Sequence, residues 1–339
     1  MGLLASPAPD KAFFRAEAAF SQLDPVHRVE MLMAYEPEIF QVETTTQCNL
    51  NCPLCSTHHL RRGHSETPLG MIEKIVGDNP RIRYMCLHLM GEPLLSKSLF
   101  SIIRYLGSKN IFTYFSTNGL LLDEKVDEIL SSGLDKISIS LDGINQEDLA
   151  RYRIGADFNK ILKGILRLKE RRDSLGLSRP LIQIQTIMFS YNEMKESEVV
   201  AFLKSLGVDR IKLKKPSFDT FGGKNDGEGR FLKEGADAAG KYSRANKSYM
   251  KYRDRAVCRL LFQGFALSDG SVVPCCIDFD GEYSFGNLNH QPWRDIWSSE
   301  KRREILMQFF IEKLPLCKTC SLGYEYSTTV YDRAAITPS

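Results

Sequence analysis

Three cysteines fall close together as Cys48-Asn-Leu-Asn-Cys52-Pro-Leu-Cys55. Three thiolates on one short loop can occupy three corners of a cubane iron–sulfur cluster and leave one iron without a protein ligand. An open metal position is where a small molecule can coordinate and react, as in catalytic zinc sites. The alternative is a three-cysteine zinc site completed by His58 or His59. A second group, Cys258, Cys275, Cys276, Cys317 and Cys320, lies in the last quarter of the chain. There ALSDGSVVPCC reads as a hairpin turning at Asp269-Gly270, which brings Cys258 towards Cys275 and Cys276. Cys317-x2-Cys320 can then close a four-thiolate site, with structural zinc again the alternative. Adjacent strand residues face opposite sides, so Cys275 and Cys276 do not readily bind the same cluster. Cys86, in the apolar run MCLHLM, reads as a buried core thiol. His88 shares its strand face and reads as a structural histidine, with substrate contact as the alternative. His64 and His290 carry no supporting pattern.

The chain around these residues is ordinary. Of 339 residues, 43% are hydrophobic and 26% charged, and the formal charge is 45 − 42 = +3. That balance argues against disorder and is too small to imply a nucleic-acid or membrane surface. Nine cysteines in a chain of this length do not make a secreted disulfide scaffold. No apolar run approaches the roughly 20 residues needed to cross a bilayer. The N-terminus lacks a basic start followed by an apolar stretch, and Gly2 gives only a weak myristoylation match. The expectation is a cytoplasmic protein that binds neither nucleic acid nor membrane.

The elements that must position the cysteines alternate in type. Strand signals fall at 40–46, 85–90, 111–119, 136–143, 181–189 and 209–215, with helical patterns between them, including 98–110, 124–133 and one long helix over 145–172. Strands separated by helices pair in parallel through right-handed crossovers. Chemistry then belongs at the C-terminal strand ends. Cys48–Cys55, Gly91-Glu92-Pro93, Thr117-Asn118-Gly119 and Asp142-Gly143 all fall there. The division expected is an N-terminal helical segment (1–36), a core (37–216), a Gly-rich and then basic linker (217–257), a second small cysteine domain (258–325) and a tail (326–339).

The C-x3-C-x2-C loop after the first strand, Met90-Gly91-Glu92-Pro93 after the second and the βα order together resemble the radical SAM superfamily. The fold this implies is α/β: a partial (β/α)6 TIM-like barrel with a small C-terminal α+β cluster domain. In that family the open iron of the three-cysteine [4Fe–4S] cluster binds S-adenosylmethionine. Its reductive cleavage yields a 5′-deoxyadenosyl radical that abstracts a substrate hydrogen. The resemblance places Cys48, Cys52 and Cys55 on that cluster and Gly91, Glu92 and Pro93 on the methionyl amino group. It places Ser140 and Asp142 on the ribose side and makes Asn192 a further cofactor contact. Two positions depart from the family: Leu54 stands where an aromatic usually packs on adenine, and Met90 replaces the first glycine of Gly-Gly-Glu-Pro.

The C-terminal array resembles the SPASM and twitch domains, which bind auxiliary [4Fe–4S] clusters. Cys258, Gly270 and Cys275 match the C-x(9–15)-G-x4-C element, and FGNL…WRDIW looks like the stretch before the last cysteines. The resemblance implies one auxiliary cluster on Cys258, Cys275, Cys317 and Cys320, with Cys276 the alternative to Cys275. Cys276 is otherwise a core thiol or a hydrogen-atom donor. The function implied is a radical SAM oxidoreductase acting on a small polar substrate, sugar or aminocyclitol, with an external flavodoxin- or ferredoxin-type electron donor. The alternatives are a radical epimerase, a peptide maturase and, in another class, a zinc-binding adaptor. The shortness of the segment before the first strand argues against a peptide-recognition domain.

Overall fold

The computed structural model describes residues 20–214, 216, 258–318, 320 and 329–332. Most of the expected N-terminal segment and all of the linker 217–257 lie outside these residues. Six strands, β1 (Ile39–Val42), β2 (Tyr84–Cys86), β3 (Phe112–Thr117), β4 (Lys136–Ser140), β5 (Leu181–Ile187) and β6 (Arg210–Lys214), run in sequence order. Every neighbouring pair is parallel. That is the partial (β/α)6 barrel: each of the first five strands is followed by a helix that brings the chain back over the same face.

The strands carry two different faces. In β6, Ile211 and Leu213 are fully buried while Arg210, Lys212 and Lys214 are half-buried. In β3, Phe115 is fully buried while Phe112, Tyr114 and Ser116 are half-buried. Side chains alternate along a strand. The apolar set packs against helices such as Leu99–Ser108, whose Ile102, Ile103 and Leu106 are fully buried. The other set lines the lumen. A strand covered by helices is ordinarily apolar on both faces, so period-two charges in β6 mark its inward side.

The single long helix expected over 145–172 is two helices, Gln146–Ala150 and Phe158–Ser174. Each has its own side-chain cap: Asn145 accepts from the Asp148 N–H and Asp157 from the Lys160 N–H. The break between them carries Tyr152 and Arg153 towards the cysteine loop, and its Ile154 carbonyl accepts the Asn51 N–H at 3.0 Å. Gly155, at φ +92°, makes the turn.

The C-terminal region continues the same sheet. Strand β7 (Gly264–Ala266) pairs in parallel with β1, and β8 (Ser271–Val273) and β9 (Gly286–Asn287) follow antiparallel. Gly264 is required here, because a Cβ would lie 2.4 Å from Phe40 Cε1. Phe40 packs on Trp293 at 4.7 Å between ring centroids. In the segment 326–339, expected as a tail, β10 (Thr329–Asp332) pairs antiparallel with β6 and closes that edge of the ten-stranded sheet. Among the described residues, no helix is long and apolar enough to cross a membrane.

Candidate radical SAM and auxiliary cluster sites

The loop after β1 is held in place before any metal enters. Cys52 is buried, and Cys48 and Cys55 are half-buried. The Cys55 N–H donates to the Cys52 carbonyl at 3.0 Å, and the Cys55 thiol to Thr57 Oγ1 at 3.4 Å. Burial is the main reason that the Cys52 thiol is pushed up to about 12, a rise the nearby Arg153 guanidinium opposes. Burial also raises Cys48, on which Asn118 Nδ2 donates at 3.9 Å. Such thiols stay protonated alone and ionise on metal binding. His58 and His59, the zinc alternatives, sit exposed on the short helix Ser56–His59. Among the described residues, no three His, Cys, Asp or Glu side chains converge where one metal ion could be held. Cys48, Cys52 and Cys55 lie near one another, a soft donor set that fits an iron–sulfur cluster.

Gly91-Glu92-Pro93 locks onto this loop. Gly91 has φ +73°, and a Cβ there would lie 2.2 Å from the Thr45 carbonyl oxygen. Its N–H donates to Thr57 Oγ1 at 3.1 Å, and the Glu92 N–H donates to the Gln47 carbonyl at 2.7 Å. The Glu92 carboxylate, 2% exposed, accepts from Thr117 Oγ1 at 2.6 Å, the Asn118 N–H at 2.7 Å and the Leu94 N–H at 3.1 Å. Burial raises its pKa and these donors oppose the rise. Asn118 in turn donates to Asn49 Oδ1 at 2.7 Å. One carboxylate therefore ties the ends of β2 and β3 to the cysteine loop. Met90 sits beside the loop too, its sulfur 3.8 Å from Thr57 Oγ1. Leu54, in the place of the usual aromatic, is buried in the main core.

Asp142, just past β4, is fully buried. Its Oδ2 accepts from Arg153 Nε at 2.6 Å and its Oδ1 from the Ile187 N–H at 2.6 Å. The carboxylate thus has a positioning task in the protein itself. Asn192 donates to the Ile187 carbonyl at 2.9 Å, which leaves its Oδ1 buried with no partner among the described residues. The Tyr191 hydroxyl next to it is also buried and unpaired. Orphaned buried polar atoms at a strand end are costly unless a ligand completes them. Together with a soft three-thiolate donor set, they fit a polar cofactor here. Ser140, the last residue of β4, is buried in register with Gln185.

The hairpin forms as the sequence suggests, with the Leu267 N–H donating to the Ser271 carbonyl at 2.8 Å and Gly270 at φ +91°. Cys275 and Cys276 come after β8 in a turn, so strand alternation does not separate them. Cys275 packs with Phe265, Leu267 and Val273, while Cys276 is half-buried. Burial raises both thiols. Cys275 feels Cys276 and Cys258; Cys276 feels Cys320, Cys258 and Cys86; Cys317 feels Cys258 and Cys320. All five thiols therefore belong to one neighbourhood, and Cys276 also lies near Cys86.

Cys86 is a buried thiol, as expected, on the strand face opposite Met85, with its Sγ 3.1 Å from His88 Nδ1. That nitrogen accepts the Ser116 N–H at 3.0 Å. Sequence reasoning missed Arg153, whose contact depends on the unexpected helix break, and Glu43. Buried beside the hairpin, Glu43 accepts from the Ser268 N–H at 3.0 Å and pairs with Arg62.

Comparison with known proteins agrees with this geometry. The Radical SAM superfamily model matches residues 42–177, and a SPASM model, an iron–sulfur cluster-binding domain, matches 258–321. The chain is 26% identical over 314 residues to a tungsten-containing aldehyde ferredoxin oxidoreductase cofactor-modifying protein of Pyrococcus furiosus, covering 83% of this chain and 86% of that one. It is 30% identical over 142 residues to a probable GTP 3′,8-cyclase of Methanococcus maripaludis, covering 41% of this chain and 46% of the relative, so the chain spans about half of that protein. The solved structure of Streptococcus suis SuiB bound to its precursor peptide SuiA superposes with a TM-score of 0.61 at 16% identity, over 88% of this chain and 73% of that one. Iron–sulfur ligation therefore replaces the zinc alternative at both cysteine sets. When bound, a cluster held by Cys48, Cys52 and Cys55 would supply the electron that cleaves S-adenosylmethionine, and the chain carries a Radical SAM domain over residues 42–177 and a C-terminal SPASM iron–sulfur domain over 258–321.

Proposed function

We propose that the protein is a radical SAM oxidoreductase that takes two electrons from a small polar substrate held in the barrel lumen. A hydroxyl-bearing carbon would give up a hydrogen atom to the 5′-deoxyadenosyl radical, then a proton to the medium and an electron, leaving a carbonyl. The auxiliary cluster on Cys258, Cys275 or Cys276, Cys317 and Cys320 supplies an electron acceptor when bound. One observation carries this reading: Cys276 of the auxiliary array lies near both Cys86 and Lys214. Lys214 also lies near Arg153, and Arg153 near Cys52, which supports a single chamber for both cysteine sets. The same position of Cys276 supports a second reading, an epimerase in which its thiol returns hydrogen.

The test is anaerobic reconstitution followed by a panel of deuterated sugars, cyclitols and peptides. Deuterium appearing in 5′-deoxyadenosine together with a carbonyl product supports oxidation. An epimer carrying solvent deuterium supports the second reading. Transfer from peptides alone overturns the small-substrate assignment, and failure to form 5′-deoxyadenosine overturns the reaction class.

A further inference from the structure

We propose that the lumen is an anion-binding chamber in which Lys136, Lys212 and Lys214 grip a phosphate or carboxylate group of the substrate. The proposal deepens the reading above and rests on the lumen being the substrate site.

Strand alternation turns Lys212 and Lys214 inward, because Ile211 and Leu213 between and beside them are fully buried on the helix side. Lys136 is in register with Tyr114, and Tyr114 with Cys86, so the three stand in one row across β4, β3 and β2. The Lys136 ammonium lies 5.6 Å from the Tyr114 ring centroid. Opposite them, the imidazole of His88 feels all three charges, Lys214, Lys136 and Lys212. Cations from two strands therefore stand on the inward side of the sheet within reach of His88.

The carboxylates nearest this group are already engaged. Asp332 pairs with Arg210 and Asp142 with Arg153. Lys136 and Lys212 make no ion pair among the described residues. Crowding ammonium groups in a half-buried space is unfavourable for folding alone. Burial is the first cause that lowers Lys136 and Lys214 to about 8, with Lys212 among the like charges that add to it. The Cys86 thiol, the Tyr114 hydroxyl and the neutral His88 complete the polar wall without adding negative charge at neutral pH. An anionic substrate group would neutralise this arrangement. Aminocyclitols, whose ammonium groups would be repelled, become poor candidates, while sugar phosphates and sugar acids fit.

Calorimetric titration of the reconstituted protein with inorganic pyrophosphate and with citrate, at about 0.15 M salt, tests the proposal. The expected result is saturable binding of at least one anion, weakened tenfold or more in Lys212→Met and in Lys214→Met. Lys163→Met, which removes an exposed charge elsewhere, should bind as wild type. Preference for pyrophosphate assigns a phosphate group, and preference for citrate a carboxylate. A second measurement needs no variant: amine acetylation of wild type should label Lys136, Lys212 and Lys214, and the bound anion should protect them. No binding of either anion, equal binding in all variants, or unprotected lysines overturns the proposal. Formation of 5′-deoxyadenosine by the wild-type enzyme is read separately, so the chamber can fail while the reaction class stands.

Discussion

Arg153 Nε donates to Asp142 Oδ2 at 2.6 Å, and the same guanidinium is the charge that opposes the rise of the Cys52 thiol. A buried ion pair thus stands between the end of β4 and a cysteine whose burial opposes its ionisation. Its worth lies in position, since removing one partner leaves an uncompensated buried charge. Asp142→Ala should cost about 3–5 kcal/mol of stability, read as a lower midpoint in anaerobic denaturant unfolding. Arg153→Gln should in addition slow cluster loading at Cys52, followed by absorbance during reconstitution. An unchanged midpoint in Asp142→Ala would show that the pair carries no structural weight.

The two cysteine sets should separate cleanly. Wild type should hold about eight irons per chain, and replacing Cys48, Cys52 and Cys55 together by Ala should remove about half of them and abolish 5′-deoxyadenosine. Cys317→Ala with Cys320→Ala should also lose about half the iron but keep the cleavage, now without product. Iron analysis and chromatography of the nucleoside read both. Loss of cleavage in the second variant, with its first cluster intact by spectroscopy, would contradict the division of labour.

Gly91→Ala places a methyl 2.2 Å from a backbone oxygen at a φ of +73°. The neighbour is main chain and cannot turn aside, so the strand end must shift. We expect a loss of about 1–3 kcal/mol from the strained conformation alone, and S-adenosylmethionine binding weakened more than tenfold in equilibrium dialysis. Alanine at Gly107, inside the helix Leu99–Ser108 with nothing within 4 Å, should leave S-adenosylmethionine binding unchanged and should not lower stability.

His88 predicts a pH dependence. Burial, and then the charges of Lys214, Lys136 and Lys212, push its pKa down to about 3 from 6.5. Between those values the unfolded chain binds the proton and the folded one does not, so stability rises with pH in that window and falls on acidification. His88→Asn keeps an acceptor for the Ser116 N–H and removes the titration. Denaturant midpoints between about pH 7 and 5 should therefore fall more steeply for wild type than for the variant. Parallel slopes would show that His88 is not the group responsible.

Glu43 joins the two regions of the chain, accepting the Ser268 N–H at 3.0 Å and pairing with Arg62. Glu43→Ala should cost about 3–5 kcal/mol by leaving Arg62 unpaired. It should also raise the protease sensitivity of the β7–β8 hairpin, mapped by limited proteolysis. Unaltered cleavage there would mean that the sheet pairing alone holds the hairpin.

Cysteine spacing, period-two strands and turn residues are local properties, and the sequence by itself determined what depends on them: six parallel strands, the Cys48–Cys55 loop, Gly91-Glu92-Pro93 at a strand end and the turn at Asp269-Gly270. Thiolate ligation needs only the right residues within a few positions, so it is written in a line. The strand at 209–215 was legible in the same way, but which side its alternate lysines face was not, because only the barrel defines an inside. Tertiary structure alone decided the rest. Arg153 reaches Asp142 because a helix breaks at Gly155, and propensity summed over 145–172 does not reveal that break. The parallel pairing of β7 with β1 and the antiparallel return of β10 onto β6 join segments more than a hundred residues apart. So does the Glu43–Ser268 contact. Such contacts follow from which hydrogen-bonding edges and buried charges are left to satisfy when the whole chain is packed, and no short window of sequence holds both partners.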